Sequence, residues 1–378
     1  MINNIMPVLV TIGFLFCGIA ADVCSCDQLT FGISEQAFDT TITQTIAIGD
    51  LDHDGDLDAV FCNMAYCNSQ VWLNDGKGFF TNSEQILTNL GHGVDLGDMD
   101  NDGDLDILIS CGRYTDDNDV LHTAPSKVYI NDGKANFHDS GQDFGDKDMA
   151  GNNAELHDID NDGDLDAVIY YHKDKNKIYL NDGAAHFKDV EMTYPDNAFW
   201  GDLDRDNDVD IFVRQTGLGY ITLLNDGNGN FVEKYELSDT MATGGRTLLV
   251  DVDSDGDLDA LVSIAGKDNK SLVEIFLNNA RGQFRKSEQV VSLEGRIINI
   301  VSNDFNNDNY PDLLISIMGQ PYRLWMNNGF GGFVSCKEHF GQPVRFGKVV
   351  IGDLDNDSDL DIFIANYWWG VSEIWINQ

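Results

Sequence analysis

The sequence predicts an all-β chain folded as a seven-bladed β-propeller, each blade a four-stranded sheet. Three observations carry this prediction. A nine-residue Asp-rich motif recurs seven times, a hairpin motif follows each of the first six copies, and the two chain ends carry complementary parts of one blade.

The Asp-rich motif reads DLDHDGDLD from Asp50, DMDNDGDLD from Asp98, DIDNDGDLD from Asp158 and DLDRDNDVD from Asp202. It continues as DVDSDGDLD from Asp251, DFNNDNYPD from Asp304 and DLDNDSDLD from Asp353. The hairpin motif reads VWLNDGKGFF from Val71, VYINDGKANF from Val128, IYLNDGAAHF from Ile178 and TLLNDGNGNF from Thr222, with weaker copies from Ile275 and Leu324. Asn-Asp-Gly between β-prone runs predicts a tight turn, because Asn and Gly tolerate positive φ.

Each repeat therefore reads as four strands in order. The first runs into the Asp loop, as in Ile46-Ala47-Ile48, and the second leaves it, as in Ala59-Val60-Phe61. The third ends at the Asn of the hairpin motif. The fourth begins near the aromatic six residues later: Phe80, Phe137, Phe187, Phe231, Phe284 or Phe333. The seventh copy stops at Ile374-Trp375-Ile376-Asn377-Gln378, after a third strand. Near the N-terminus, Phe31-Gly32-Ile33-Ser34-Glu35-Gln36 resembles the fourth-strand stretch Phe80-Thr81-Asn82-Ser83-Glu84-Gln85. The N-terminal segment is expected to complete blade seven and close the ring, leaving no open sheet edge.

The Asp loops concentrate hard oxygen donors. Calcium takes six to eight oxygens, and alternate side chains of D-x-D-x-D-G-x-x-D can point into one concave loop. The predicted side-chain ligands are Asp50, Asp52, Asp54 and Asp58 in blade one; Asp98, Asp100, Asp102 and Asp106 in blade two; and Asp158, Asp160, Asp162 and Asp166 in blade three. They continue as Asp202, Asp204, Asp206 and Asp210; Asp251, Asp253, Asp255 and Asp259; Asp304, Asn306, Asp308 and Asp312; and Asp353, Asp355, Asp357 and Asp361. Position six needs a sharp turn, met by Gly in four copies and by Asn207, Asn309 and Ser358 in the others. An EF-hand is excluded, because position twelve is Phe61 or Ile109 within a strand instead of Glu.

These motifs resemble the FG-GAP/VCBS repeats of the integrin α-subunit propeller and of many secreted proteins, over about residues 29 to 378. The resemblance implies a seven-bladed propeller, calcium in the loops between first and second strands, and extracellular adhesion or ligand binding. A fold alone does not supply a function, so the ligand has to be argued from a site.

Composition narrows the partners. The 378 residues carry a formal net charge of -41, which repels nucleic acid and anionic membranes, while 42% hydrophobic content allows a large core and argues against disorder. Residues 1–21 read as a secretory signal peptide, apolar from Ile5 and ending in small residues, with 22–378 as the propeller. Membrane contact is expected only if that segment is an uncleaved anchor, and a monomer is expected. Without Cys17 six cysteines remain, as an oxidising compartment allows, and Cys62 and Cys67 are close enough to staple one loop.

Calcium loops and Asn-Asp-Gly turns are expected on one rim. The opposite rim carries the variable loops, where a glycan or protein ligand is expected. Candidate contacts there are Tyr66, Arg113, Tyr114, His122, Tyr171, His172, Tyr322, Trp368 and Trp369, with His92, Arg246, Arg296 and Arg345 on the links between blades. Trp200 is assigned to the core and His157 to a structural role. No G-x-S-x-G, H-E-x-x-H or phosphate-binding Gly loop is present, so no catalytic residue is assigned. A polysaccharide lyase or hydrolase on the same scaffold is the alternative.

Overall fold

The computed structural model describes Cys26 and the chain from residue 29 onward, except residues 37, 39–41, 65–66, 116–117, 146–148, 172–175, 195–197, 216–218, 238–244, 266–267, 344–346 and 367–371. Seven four-stranded antiparallel sheets form the blades of a propeller, and no α-helix occurs among the described residues. Blade 1 comprises Thr43–Gly49, Asp58–Asn63, Gln70–Asn74 and Phe80–Ile86; blade 2 comprises Gly91–Gly97, Asp106–Cys111, Ser126–Ile130 and His138–Phe144. Blade 3 holds Gly151–His157, Asp166–Tyr171, Asn176–Leu180 and Lys188–Tyr194; blade 4 holds Ala198–Gly201, Asp210–Gln215, Gly219–Leu224 and Val232–Leu237. Blade 5 holds Thr247–Val250, Asp259–Ala265, Lys270–Leu277 and Arg285–Glu294, and blade 6 Ile297–Asn303, Asp312–Ile317, Tyr322–Asn327 and Phe333–Phe340.

Blade 7 is built from both ends of the chain. Gly347–Gly352, Asp361–Asn366 and Glu373–Asn377 pair in sequence order, and the N-terminal Phe31–Ile33 adds the outer strand, with Phe31 opposite Asn377. The resemblance between the N-terminal segment and later fourth strands has a physical basis. Gln85 accepts from Phe137 N–H and donates to the Ala135 carbonyl, tying blade 1 to blade 2. Gln36 accepts from Phe80 N–H and donates to the Phe80 carbonyl, tying the end of blade 7 to blade 1 in the same way. A disulfide joins Cys26 to Cys336 in the outer strand of blade 6.

Seven hydrophobic clusters occupy the seven interfaces between neighbouring blades. This explains why second strands such as Asp58–Asn63, Asp106–Cys111 and Asp312–Ile317 are buried at every residue: each lies mid-blade with a neighbouring sheet on both faces. The closure between blades 7 and 1 is aromatic. Phe38 packs at ring-centroid distances of 5.3 Å from Phe61 and 5.1 Å from Phe363, next to Trp72 and Phe80.

Two expectations are redrawn. Cys62 and Cys67 are free, as is Cys111. Cys62 lies within a strand and its thiol faces the Gly93 carbonyl across the blade 1–2 interface, so it is aimed into the core and not at the loop. The variable loop of blade 2 folds as a hairpin of its own, Arg113–Thr115 against Leu121–Thr123. The apolar segment Ile5–Ala21 lies outside the described residues, and no described helix is long and apolar enough to cross a membrane.

Phe38 reaches the closure from a short segment and is 4% exposed. Truncation to Ala leaves a cavity among aromatic rings that the rest of the ring cannot collapse into. The Phe38→Ala variant is expected to lose about 3 kcal/mol of stability, or slightly more. A denaturant melt coincident with wild type would overturn the assignment of this residue to ring closure.

Candidate functional site

Every Asp loop is folded by the same four sets of backbone bonds. The carboxylate at position one accepts from the N–H of position six, at 3.0 Å in blade 2 and 2.9 Å in blade 5. The carboxylate at position five accepts from the N–H of position seven, as Asp102 does from Asp104 at 3.0 Å. The carboxylate at position nine accepts twice. One oxygen takes the N–H of position two, as Asp106 does from Met99, and the other takes the N–H of the third-strand Asn, as Asp106 does from Asn131. All seven position-nine carboxylates make both bonds.

The turn that brings these groups together uses left-handed backbone twice. Position six has positive φ in every copy, including Asn207 (71°), Asn309 (67°) and Ser358 (76°). Position four does too: His53, Asn101, Asn161, Arg205, Ser254, Asn307 and Asn356 all lie between 56° and 64°. Asn visits this region more readily than other side chains, which accounts for its use at four of the seven. His, Arg and Ser there hold a conformation that costs roughly 1–2 kcal/mol against the right-handed one.

The side chains of position four carry out a role that residue spacing within one loop did not suggest. Asn101 donates to Asp164 of the next blade at 2.7 Å, Asn161 to Asp208 at 2.9 Å, and Asn307 to Asp359 at 3.2 Å. His53 pairs with Asp104, Arg205 donates to the Gly256 carbonyl, and Asn356 reaches Asp56 across the closure. The acceptors, where they are carboxylates, sit at position seven. The third-strand Asn adds a second stitch: Asn131 donates to the Leu51 carbonyl of the preceding blade and to its own Leu105 carbonyl. Six blades repeat that stitch. The loops thus form a girdle around one rim. The Asn-Asp-Gly turns lie on the same rim, where the Asp56 carboxylate comes within 2.7 Å of the place a Cβ would occupy on Gly76.

In five of the loops the oxygens of three carboxylates converge. Ligand atoms of Asp50, Asp52 and Asp58 lie within 4.8 Å of one another, as do those of Asp98, Asp100 and Asp106, and of Asp158, Asp160 and Asp166. In blades 4 and 5 the converging sets are Asp202, Asp204 and Asp206, and Asp251, Asp253 and Asp255. One buried oxygen of Asp50, Asp100, Asp160, Asp204, Asp253 and Asp355 has no hydrogen-bond partner. Burial raises the pKa of the position-three carboxylates, with the neighbouring Asp charges adding to it. Burial likewise pushes the position-nine groups up to about 7, against the pull of their two N–H bonds. Orphaned, crowded carboxylate oxygens are a donor set suited to a hard divalent cation.

The opposite rim holds a second feature. First strands run toward the Asp loops, so their starts lie at the far rim, around a central channel. A cavity of 670 Å³ opens there, lined among others by Gln44, His92, Asn153, Arg246 and Lys348. Deeper in it, Trp200 stacks on His157 at 5.2 Å and donates to the Tyr170 hydroxyl, which donates to Glu155 at 2.8 Å. Trp200 is therefore shared between the core and the channel wall. Of the ligand candidates, Tyr322 is 1% exposed and packs in the core between blades 6 and 7, while Tyr171 is 3% exposed, packs in the core between blades 2 and 3 and also lines the channel cavity. Arg113 and His122 lie half-buried on the blade 2 hairpin, with Tyr114 on the same strand as Arg113. Tyr66, His172, Trp368 and Trp369 fall outside the described residues, as does Arg345.

A ring of repeated hairpins, each closed by an acidic nine-residue loop, defines the class of protein: a propeller of acidic-loop repeats. The FG-GAP-like repeat matches at residues 50–109, 158–213, 251–315 and 304–364, more than half of the chain, and the chain belongs to that family. Among solved structures it is similar to BBS1N in complex with ARL6DN, in a lead-soaked crystal, at 12% identity and a TM-score of 0.58, covering 92% of this chain and 97% of that one. The mercury-soaked form of that complex gives 12% identity and a TM-score of 0.57, covering 92% and 96%. These likenesses concern the fold. No curated protein sequence matches the chain.

The position-nine carboxylates make a pH prediction for the cation-free protein. Their folded pKa of about 7 lies above the unfolded value, so the folded state binds more protons between those limits. Stability without cation should therefore fall as pH rises from about 4 to about 7. Melting in calcium-free buffer is expected at a lower temperature at pH 7.5 than at pH 5. An equal or higher melting temperature at pH 7.5 would show that these carboxylates are not held as described.

Proposed function

We propose that this protein is a calcium-stabilised binding module that acts outside the cell and recognises a glycan or protein ligand by the rim opposite its Asp loops, without catalysis. The observation that carries this reading is the division of labour between rims. Crowded carboxylates with orphaned oxygens form a girdle on one, and a 670 Å³ polar cavity opens on the other.

In each loop, positions one, three, five and nine would hold the ion, and calcium would supply charge neutralisation and no reaction chemistry. Neutralisation is needed because several carboxylates within one turn repel strongly when they are partly removed from water. The structural role follows from where the loops sit: they stitch blade to blade and do not reach the channel cavity. The Cys26–Cys336 disulfide supports an oxidising compartment, in keeping with residues 1–21 as a cleaved signal. Partner binding by the propeller BBS1N, which is in complex with ARL6DN, supports a protein ligand as one form of the reading. A carbohydrate-active enzyme is the second reading, favoured by the Glu155–Tyr170 pair in the channel beside Arg246.

Two measurements test the proposal. Removal of calcium by excess chelator at pH 7.5 is expected to lower the melting temperature by more than 10 °C, since several sites contribute through linkage; an unchanged melt would exclude the calcium role. A glycan array followed by a depolymerisation assay on each hit is expected to give binding without product. Release of shortened oligosaccharides would replace the binding module with the enzyme.

A further inference from the structure

The chain is strongly acidic, yet cations gather at one place. Arg246 and Lys348 line the channel cavity, and Arg296 lies close enough to Arg246 to depress its pKa further after burial has done so. Burial first, and then Arg246, lower the pKa of Lys348. Both side chains are exposed to the water of a channel walled by blades. Three other lysines on the blades are paired: Lys127 with Asp139 and Asp143, Lys177 with Asp189, and Lys286 with Glu274. Among the described residues no carboxylate forms an ion pair with Arg246, Arg296 or Lys348. Glu155 shares the cavity, but Tyr170 and Asn153 donate to its oxygens at 2.8 and 3.0 Å.

The polar lining at this mouth is shaped by the backbone. The first strands of blades 1, 2, 3 and 6 each slip register near their starts, leaving Gln44, His92, Asn152 and Ile298 as the extra residues. A bulge re-aims the residue it inserts. Gln44, His92 and Asn152 line the cavity, and the Ile298 carbonyl accepts from Arg246 Nε, which orients the guanidinium. The side-chain carbonyl oxygen of Gln44 is buried without a donor. The site therefore combines cations that form no ion pair among the described residues, although Glu155 lies near enough to act on Lys348, with amides and an acceptor awaiting a donor, in a volume that suits a small ligand.

We propose that the channel mouth binds a small hydroxylated carboxylate, of which a single uronic-acid residue is the type, with its carboxylate between Arg246 and Lys348 and its hydroxyls on Gln44, Asn152 and Asn153. The proposal rests on the binding-rim reading above and names the chemistry of its ligand. An anion would relieve the repulsion between cations that face one channel, and loss of one charged partner from a charge-assisted pair weakens binding.

Titration calorimetry on the full, calcium-loaded chain tests this, with glucuronate, glucose, succinate and inorganic sulfate as probes. Glucuronate should bind at least roughly tenfold more tightly than glucose, succinate or sulfate, as a charge-assisted pair plus hydroxyl contacts requires. Lys348→Gln should weaken glucuronate roughly tenfold or more with an unchanged melting temperature, because Lys348 makes no described bond within the protein. Arg246→Gln should do the same, read beside Lys348→Gln because Arg246 also holds Ile298. Equal binding of glucose excludes the anion site, and equal binding of succinate or sulfate excludes a sugar acid. If Lys348→Gln keeps full affinity for an array ligand and for glucuronate, the binding rim stands and the channel site falls.

Discussion

The structure depends on one carboxylate per blade, the last Asp of each motif. Asp106 and its six counterparts sit at the start of the second strand, buried, and receive two backbone N–H bonds from segments that would otherwise be independent. One bond fixes the entrance of the Asp loop; the other fixes the end of the third strand. A neutral side chain could not accept both so strongly, since bonds to a charged acceptor are about twice as strong as neutral ones. Burial raises the cost of that charge, and the loop is arranged so that a cation can offset it.

From this anchor the ring assembles outward. With position two held by the carboxylate, its carbonyl faces the next blade and accepts the third-strand Asn. With the loop held in its double left-handed turn, position four projects sideways to the neighbouring loop. Hydrophobic packing between blades is larger in sum but nondirectional. The polar girdle supplies register, so that each blade meets the next at one height. An acidic rim that organises the ring leaves the other rim free to vary, and there the first strands of blades 1, 2 and 3 bulge and bring polar side chains to the channel.

Much of this was legible in the residues. Four strands per repeat, the Asp loops, the positive φ at position six and the completion of blade 7 by the N-terminal strand all follow from local pattern. The recurrence of Asn at position four and Asp at position seven was equally visible as a repeat, but its meaning was not, because the partners lie on different blades. The channel site was less legible still. His92, Arg246 and Arg296 stood out only as residues on blade links, and Lys348 carried no signal, since nothing local marks a side chain as facing a shared axis. The burial of Tyr171 and Tyr322 was hidden for the matching reason: at a strand end, the choice between core and solvent is made by the neighbouring blade.

By itself, then, the sequence determined the blade count, the hairpin chemistry and the place of each acidic loop, since all of these are set within a few residues by turn geometry and alternation. The tertiary structure decided which loop touches which, which thiols pair, and which cations share a cavity. Those are matters of distance between residues far apart in the chain, and only closure of the ring sets them. Cys26 and Cys336 meet because the N-terminal strand completes blade 7 beside blade 6, and Arg246 and Lys348 share a cavity because the first strands of the blades surround one channel.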